Sequence, residues 1–126
     1  MKKNLPVLLV EDDLVDQMTL KRAFRDLGLT GRLDIARNGL EALEFLKNNP
    51  RPAFILLDLN MPRMNGFEFL QVQKHSAEWQ MIPVVVLTTS REERDKRESF
   101  MLGVAGYIIK PVDYPEFVEA MRTIDR

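Results

Sequence analysis

The chain reads as an α/β protein built on a doubly wound, five-stranded parallel sheet, and three observations predict this. Short apolar runs alternate with helix-period segments from end to end. The runs are continuously apolar, as suits parallel strands covered on both faces. Polar residues then follow four of them: Glu11-Asp12-Asp13 after Leu8-Leu9-Val10, Asp58 after Phe54-Ile55-Leu56-Leu57, Thr88 after Val84-Val85-Val86-Leu87, and Lys110 after Tyr107-Ile108-Ile109. Ligands of open parallel sheets bind beyond the carboxyl ends of the strands, so the chemistry is expected along one edge.

After the first strand, Leu20, Ala23, Phe24 and Leu27 have the spacing of one helix face, and Gly28 is the expected stop. Leu33 to Ala36 reads as a second strand. Asn38 with Glu41 predicts a capping box opening a second helix, which buries Gly39, Ala42, Leu43 and Leu46. Asn49-Pro50-Arg51-Pro52 breaks the chain before the third strand, because a residue preceding proline avoids the helical region. Pro62 and Gly66 frame a turn into a third helix carrying Phe67, Phe69 and Leu70, and a fourth strand starts after Pro83.

Ser90 with Glu93 predicts the cap of a fourth helix. Its opening, Arg91 to Glu98, holds no aliphatic residue, so this helix is expected to bury little before Phe100 and Met101 and to be weakly anchored. The fifth strand runs from Gly106 to Ile109, and Asp113 with Glu116 caps a last helix whose Phe117, Val118, Met121 and Ile124 share a face. Right-handed crossovers place helices on both faces of the sheet. The flavodoxin-like strand order 2-1-3-4-5 then opens a crevice between the first and third strands, between Asp12 and Asp58.

The 126 residues are expected to form one domain, 1–126, without room for an output domain. Lys and Arg number 18 against 19 Asp and Glu, a net charge of -1, which gives no reason to expect nucleic acid as a ligand. Cysteine is absent, which excludes disulfides, thiolate metal sites and cysteine nucleophiles. No apolar run approaches the roughly 20 residues of a membrane-spanning helix. Met1-Lys2-Lys3 resembles the charged start of a signal peptide, but Pro6 and the acids from Glu11 break the apolar stretch, and the expected location is cytoplasmic. His75, in a polar stretch, reads as a surface residue, Trp79 as packing beneath its loop, and the methionines as core filler.

Carboxylates converging on one spot repel one another, and burying them unpaired costs several kcal/mol unless a cation neutralises them. Oxygen-only ligands suit Mg²⁺, with Asp12 and Asp58 as protein ligands and Glu11 reaching the metal through water. Asp58 is then the candidate nucleophile toward phosphorus. The Lys110 ammonium and the Thr88 hydroxyl are the candidate partners of the phosphoryl oxygens. Each has a plain structural reading alone: acids at a helix start favoured by the dipole, a turn aspartate, a strand-end threonine, a solvated lysine. Their joint placement at the strand ends is what coincidence explains poorly.

These residues resemble the receiver domain of two-component response regulators over nearly the whole chain. Leu9-Val10-Glu11-Asp12-Asp13 is similar to the family's first-strand motif, Leu57-Asp58-Leu59-Asn60-Met61-Pro62-Arg63-Met64-Asn65-Gly66 to its phosphorylation loop, Leu87-Thr88-Thr89 to its switch threonine, and Tyr107-Ile108-Ile109-Lys110-Pro111 to its lysine motif. The resemblance implies Asp58 as phosphoacceptor, and Mg²⁺ held by Asp12, Asp58 and the main-chain carbonyl of Asn60, with Glu11 where many members have aspartate. It also implies Thr88 and Tyr107 as a switch pair and a cis Lys110-Pro111 bond.

The implied partners are a sensor histidine kinase, which supplies the phosphoryl group, and a downstream protein. Signalling is expected through the fourth helix, fifth strand and fifth helix, a face that is also a candidate homodimer surface. The implied chemistry is confined to the chain's own phosphorylation and slow dephosphorylation. Leu87-Thr88-Thr89-Ser90-Arg91, Lys110-Pro111-Val112-Asp113 and the long connection from Gln73 to Ile82 resemble, more finely, the stand-alone regulators that partner bacterial phytochromes.

Two other readings compete. An Mg²⁺-dependent phosphatase with an aspartyl nucleophile typically has an acid two residues after it, where this chain has Asn60. A flavodoxin-like binding module needs glycines and hydroxyls after the first strand, where Glu11-Asp12-Asp13 would repel a cofactor phosphate.

Overall fold

A computed structural model describes residues 5–61, 63–111 and 113–124. Along the chain run β1 (Val7–Val10), α1 (Leu14–Asp26), β2 (Leu33–Ala36), α2 (Gly39–Asn48), β3 (Phe54–Leu57), α3 (Gly66–Lys74), β4 (Val84–Thr88), α4 (Glu93–Met101), β5 (Gly106–Ile109) and α5 (Tyr114–Ile124). All strand pairs are parallel and the order is β2-β1-β3-β4-β5, as the sequence predicts.

Strand periodicity divides the core in two. Leu8, Val10, Ile55, Leu57, Val84 and Val86 face α2 and α3, meeting Ala42, Leu46, Phe69 and Leu70. Their neighbours Val7, Leu9, Phe54, Leu56, Val85 and Leu87 face α1 and α5, meeting Leu20, Phe24, Phe117 and Met121. Phe24 and Phe117 touch across that second layer with ring centroids 5.7 Å apart. Helices therefore cover both faces, which explains why the central strands β1, β3 and β4 are buried throughout, while Asp34 is tolerated on the edge strand β2.

Helix ends refine the sequence reading. Asp13 caps α1, accepting from the backbone N–H groups of Val15 at 2.7 Å and Asp16 at 3.2 Å. Asn38 caps α2 by accepting from Glu41 N–H, but the returning Glu41 carboxylate accepts from Arg37 N–H, not from Asn38. A reciprocal capping box forms instead at α3, between Asn65 and Glu68. Pro62, expected in the turn before it, lies outside the described residues, as do Val112 and the side chain of Ile124.

The expected Ser90–Glu93 cap of α4 does not form: the helix starts at Glu93, its N-cap is Glu92, and no side chain caps it. Phe100 and Met101 do not anchor α4 either, since both are exposed and Ser99 is its buried residue. Helix α4 is thus anchored even more weakly than the sequence suggests. Of the described methionines, Met61 and Met121 are buried in the core and Met64 packs half-buried against it, whereas Met18, Met81 and Met101 are exposed. His75 is exposed, with Nδ1 2.6 Å from the Gln71 carbonyl oxygen. Trp79 packs against the α2–α3 layer. Among the described residues no helix is long and apolar enough to cross a membrane.

Candidate functional site

Sheet register brings the predicted residues together. Val10 pairs with Leu57 and Thr88 with Ile109, so the chain leaves β1 and β3 side by side, and β4 and β5 likewise. Backbone bonds continue past the strands: Asp58 N–H donates to the Val10 carbonyl at 3.0 Å, Glu11 N–H to Ala36 at 2.8 Å, and Lys110 N–H to Thr88 at 2.8 Å. The side chains that matter thus spring from hydrogen-bonded backbone. Behind Asp58 the loop folds back tightly, and a Cβ on Gly66 would lie 2.5 Å from the Asp58 carbonyl oxygen. Glycine there lets α3 begin directly beneath the site.

Glu11, Asp12 and Asp58 each bring a carboxylate oxygen within 4.8 Å of the other two. Glu11 and Asp58 are buried, 1% and 6% exposed, while Asp12 is open to solvent. The Lys110 ammonium lies 2.6 Å from Glu11 Oε1, 2.7 Å from Asp16 Oδ2 and 3.8 Å from Asp58 Oδ2. Asn60 N–H donates to Asp58 Oδ1 at 3.3 Å. The Lys110-Pro111 peptide bond is cis.

Burial dominates the electrostatics. It pushes the Glu11 carboxyl up to about 7 despite the hydrogen bond from Lys110, with the Asp58 charge adding to the rise. Burial also raises Asp58, against the opposing pull of Lys110. For Lys110 burial acts downward, but the bonds to Asp16 and Glu11 and the charge of Asp58 override it, and the ammonium is held above its ordinary value. The Lys110 ammonium thus faces Glu11, Asp16 and Asp58, and Asp12 adds a further carboxylate beside Glu11 and Asp58. Such an oxygen-rich, under-neutralised group fits a hard divalent cation.

Thr88 is fully buried, and its Oγ1 accepts from Ser90 N–H at 3.2 Å. Tyr107 Oη donates to the Ser90 carbonyl at 3.2 Å. Ser90 Oγ donates to Asp95 Oδ2 at 2.6 Å and accepts from Glu92 N–H at 3.3 Å. The predicted switch pair is therefore joined through Ser90, and Ser90 in turn to α4. Sequence reasoning overlooked Ser90 in this role, and with it Asp16 and Gln17. Gln17 is buried and donates from Nε2 to the Glu11 carbonyl at 2.8 Å, steadying the loop after β1. The signal for Asp16 was present only as an acid in the first turn of α1, a position the helix dipole favours anyway.

Residues 7–122 match the response regulator receiver domain family. Response regulator Rcp1 of Synechocystis sp. is 37% identical over 125 residues, spanning 94% of this chain and 85% of that protein. The Mn²⁺-bound structure of Rcp1 superimposes with a TM-score of 0.80 at 36% identity, covering 95% of this chain and 88% of that one. The bacteriophytochrome response regulator RtBRR gives a TM-score of 0.87 at 38% identity, over 98% of this chain and 79% of its own. The phosphorylated cyanobacterial phytochrome response regulator RcpA gives 0.83 at 33% identity, over 97% and 91%. With the family's model matching residues 7–122 and the fold superimposing on such proteins, the chain belongs to the response regulator receiver domains, CheY-like phosphorelay switches that work with histidine kinases and bind divalent metal.

Proposed function

We propose that Asp58 is the phosphoacceptor of this receiver domain and that the phosphoryl donor is a sensor histidine kinase. What supports this most is the setting of the Asp58 carboxylate. It is buried at the end of β3, within 4.8 Å of the Glu11 and Asp12 carboxylates and 3.8 Å from the Lys110 ammonium. An Asp58 oxygen attacks phosphorus, forming an O–P bond as the bond from phosphorus to the donor's leaving group breaks.

Asp12, Asp58 and the main-chain carbonyl of Asn60 would hold Mg²⁺, with Glu11 contributing through water. When bound, the cation neutralises the clustered carboxylates and the charge spread over the phosphoryl oxygens. Lys110 and the Thr88 hydroxyl serve the remaining oxygens. The Thr88 oxygen whose O–H would turn to the phosphoryl group also accepts from the N–H of Ser90, the residue whose carbonyl holds Tyr107 and whose hydroxyl holds α4, so a shift of Thr88 is felt at Ser90. Phosphorylation thereby biases the α4–β5–α5 face, which signals to a downstream protein or forms a homodimer. Its chemistry is limited to its own phosphorylation and dephosphorylation, in the cytoplasm. The likeness to RtBRR, Rcp1 and RcpA supports a phytochrome-like kinase as the donor.

Acetyl phosphate with Mg²⁺ should add one acid-stable, base-labile phosphoryl group, read by intact-mass spectrometry, and EDTA should prevent it. No adduct on the wild type, or the same adduct on Asp58→Asn, would sink this assignment.

A further inference from the structure

Lys110 is shared between the phosphorylation pocket and α1. Its ammonium offers three donors. Two are engaged at close range, by Glu11 at 2.6 Å and Asp16 at 2.7 Å, while Asp58 stands off at 3.8 Å. The two close partners differ in kind. Glu11 is buried within the acid group of Asp12 and Asp58. Asp16 comes from the first turn of α1, lies outside that group, and its side chain is 34% exposed. Beside this pair is a cavity of about 90 Å³ lined also by Thr19, Leu20, Leu87 and Pro111. On this side the Asp16 carboxylate, 2.7 Å away, is the charged group that draws the ammonium, while the Thr19 hydroxyl donates to the Val15 carbonyl.

We propose that Asp16 is a positioning residue of the phosphorylation reaction: it holds Lys110 toward α1 in the resting protein and competes for it with the phosphoryl group arriving on Asp58. The inference rests on the Asp58 reading above. As phosphorus nears Asp58, its oxygens require an ammonium donor, and Lys110 supplies one by releasing a carboxylate. Asp16 is the one released, because its partly exposed carboxylate regains water, whereas freeing Glu11 would strand a buried charge. Neutralising Asp16 without changing its shape removes the competitor, and phosphorylation becomes faster.

The test follows acetyl phosphate and Mg²⁺ phosphorylation of the whole chain by intact mass, for wild type, Asp16→Asn, Asp16→Glu, Lys110→Ala and the Asp16→Asn/Lys110→Ala double variant. Asp16→Asn is expected to react roughly three- to fivefold faster than wild type, the range of a partly exposed ion pair. Asp16→Glu should keep the wild-type rate, and Asp16→Asn should change nothing once Lys110 is alanine. A rate for Asp16→Asn equal to or below wild type overturns the proposal. So does an acceleration that persists in Lys110→Ala, which would reflect only reduced repulsion of an anionic donor. A wild type that takes up no phosphoryl group defeats the Asp58 assignment, and this inference falls with it.

Discussion

Adjacent acids at the end of β1 sit in opposite environments. Glu11 is buried against Lys110, whereas Asp12 reaches solvent while keeping a carboxylate oxygen within 4.8 Å of Glu11 and Asp58. Burial raises the Glu11 carboxyl while Lys110 opposes the rise. Glu11→Gln keeps the shape and removes one charge, and should weaken Mg²⁺ binding by about ten- to a hundredfold, as loss of an outer ligand partner does. Calorimetric titration with Mg²⁺ checks this, and undiminished affinity would remove Glu11 from the metal site. At this scale the residues that end an apolar run were legible, because burial of the strand fixes where the next side chain emerges. Asp16 was not, because its partner Lys110 lies 94 residues further along and only the folded sheet brings α1 beside β5.

Helix α4 is the element least fixed by the core. It buries Ser99, leaves Phe100 and Met101 exposed, and has no side-chain cap. Its N-terminal approach hangs on Ser90, whose amide, carbonyl and hydroxyl go to Thr88, Tyr107 and Asp95. Those tertiary bonds explain why Ser90–Glu93 misled as a local capping pattern, while Asn65–Glu68, a pattern of the same kind, formed the true box. The polar opening of α4 was informative about its anchoring, but no local pattern discloses that a serine is already claimed from several sides. Few buried apolar contacts imply a low local opening free energy. Amide exchange across α4 should therefore be at least about tenfold faster than across α2 and α3. It should change on phosphorylation, while exchange in β1 and β3 should not. Protection in α4 equal to that in α2 would contradict its role as the mobile part of the switch.

Across the whole molecule, the fold accepts an unfavourable charge cluster that a bound cation relieves. Burial raises the Glu11 carboxyl from 4.5 to about 7, and Asp58 moves in the same direction. A carboxyl with a raised folded pKa holds its proton more tightly folded than unfolded, so the metal-free protein loses stability as pH rises across that interval. Lys110 does not offset this within the interval, since its raised pKa stabilises the fold up to and beyond its ordinary 10.5. A divalent cation selects the ionised carboxylates and so acts in the opposite sense. The increase in Tm produced by a fixed excess of Mg²⁺ should accordingly be small near pH 5 and grow until about pH 7 to 8, at constant ionic strength. Differential scanning calorimetry with and without Mg²⁺ measures that difference directly. An Mg²⁺ effect that stays level or shrinks with rising pH would mean the cation binds somewhere other than the carboxylates of Glu11, Asp12 and Asp58.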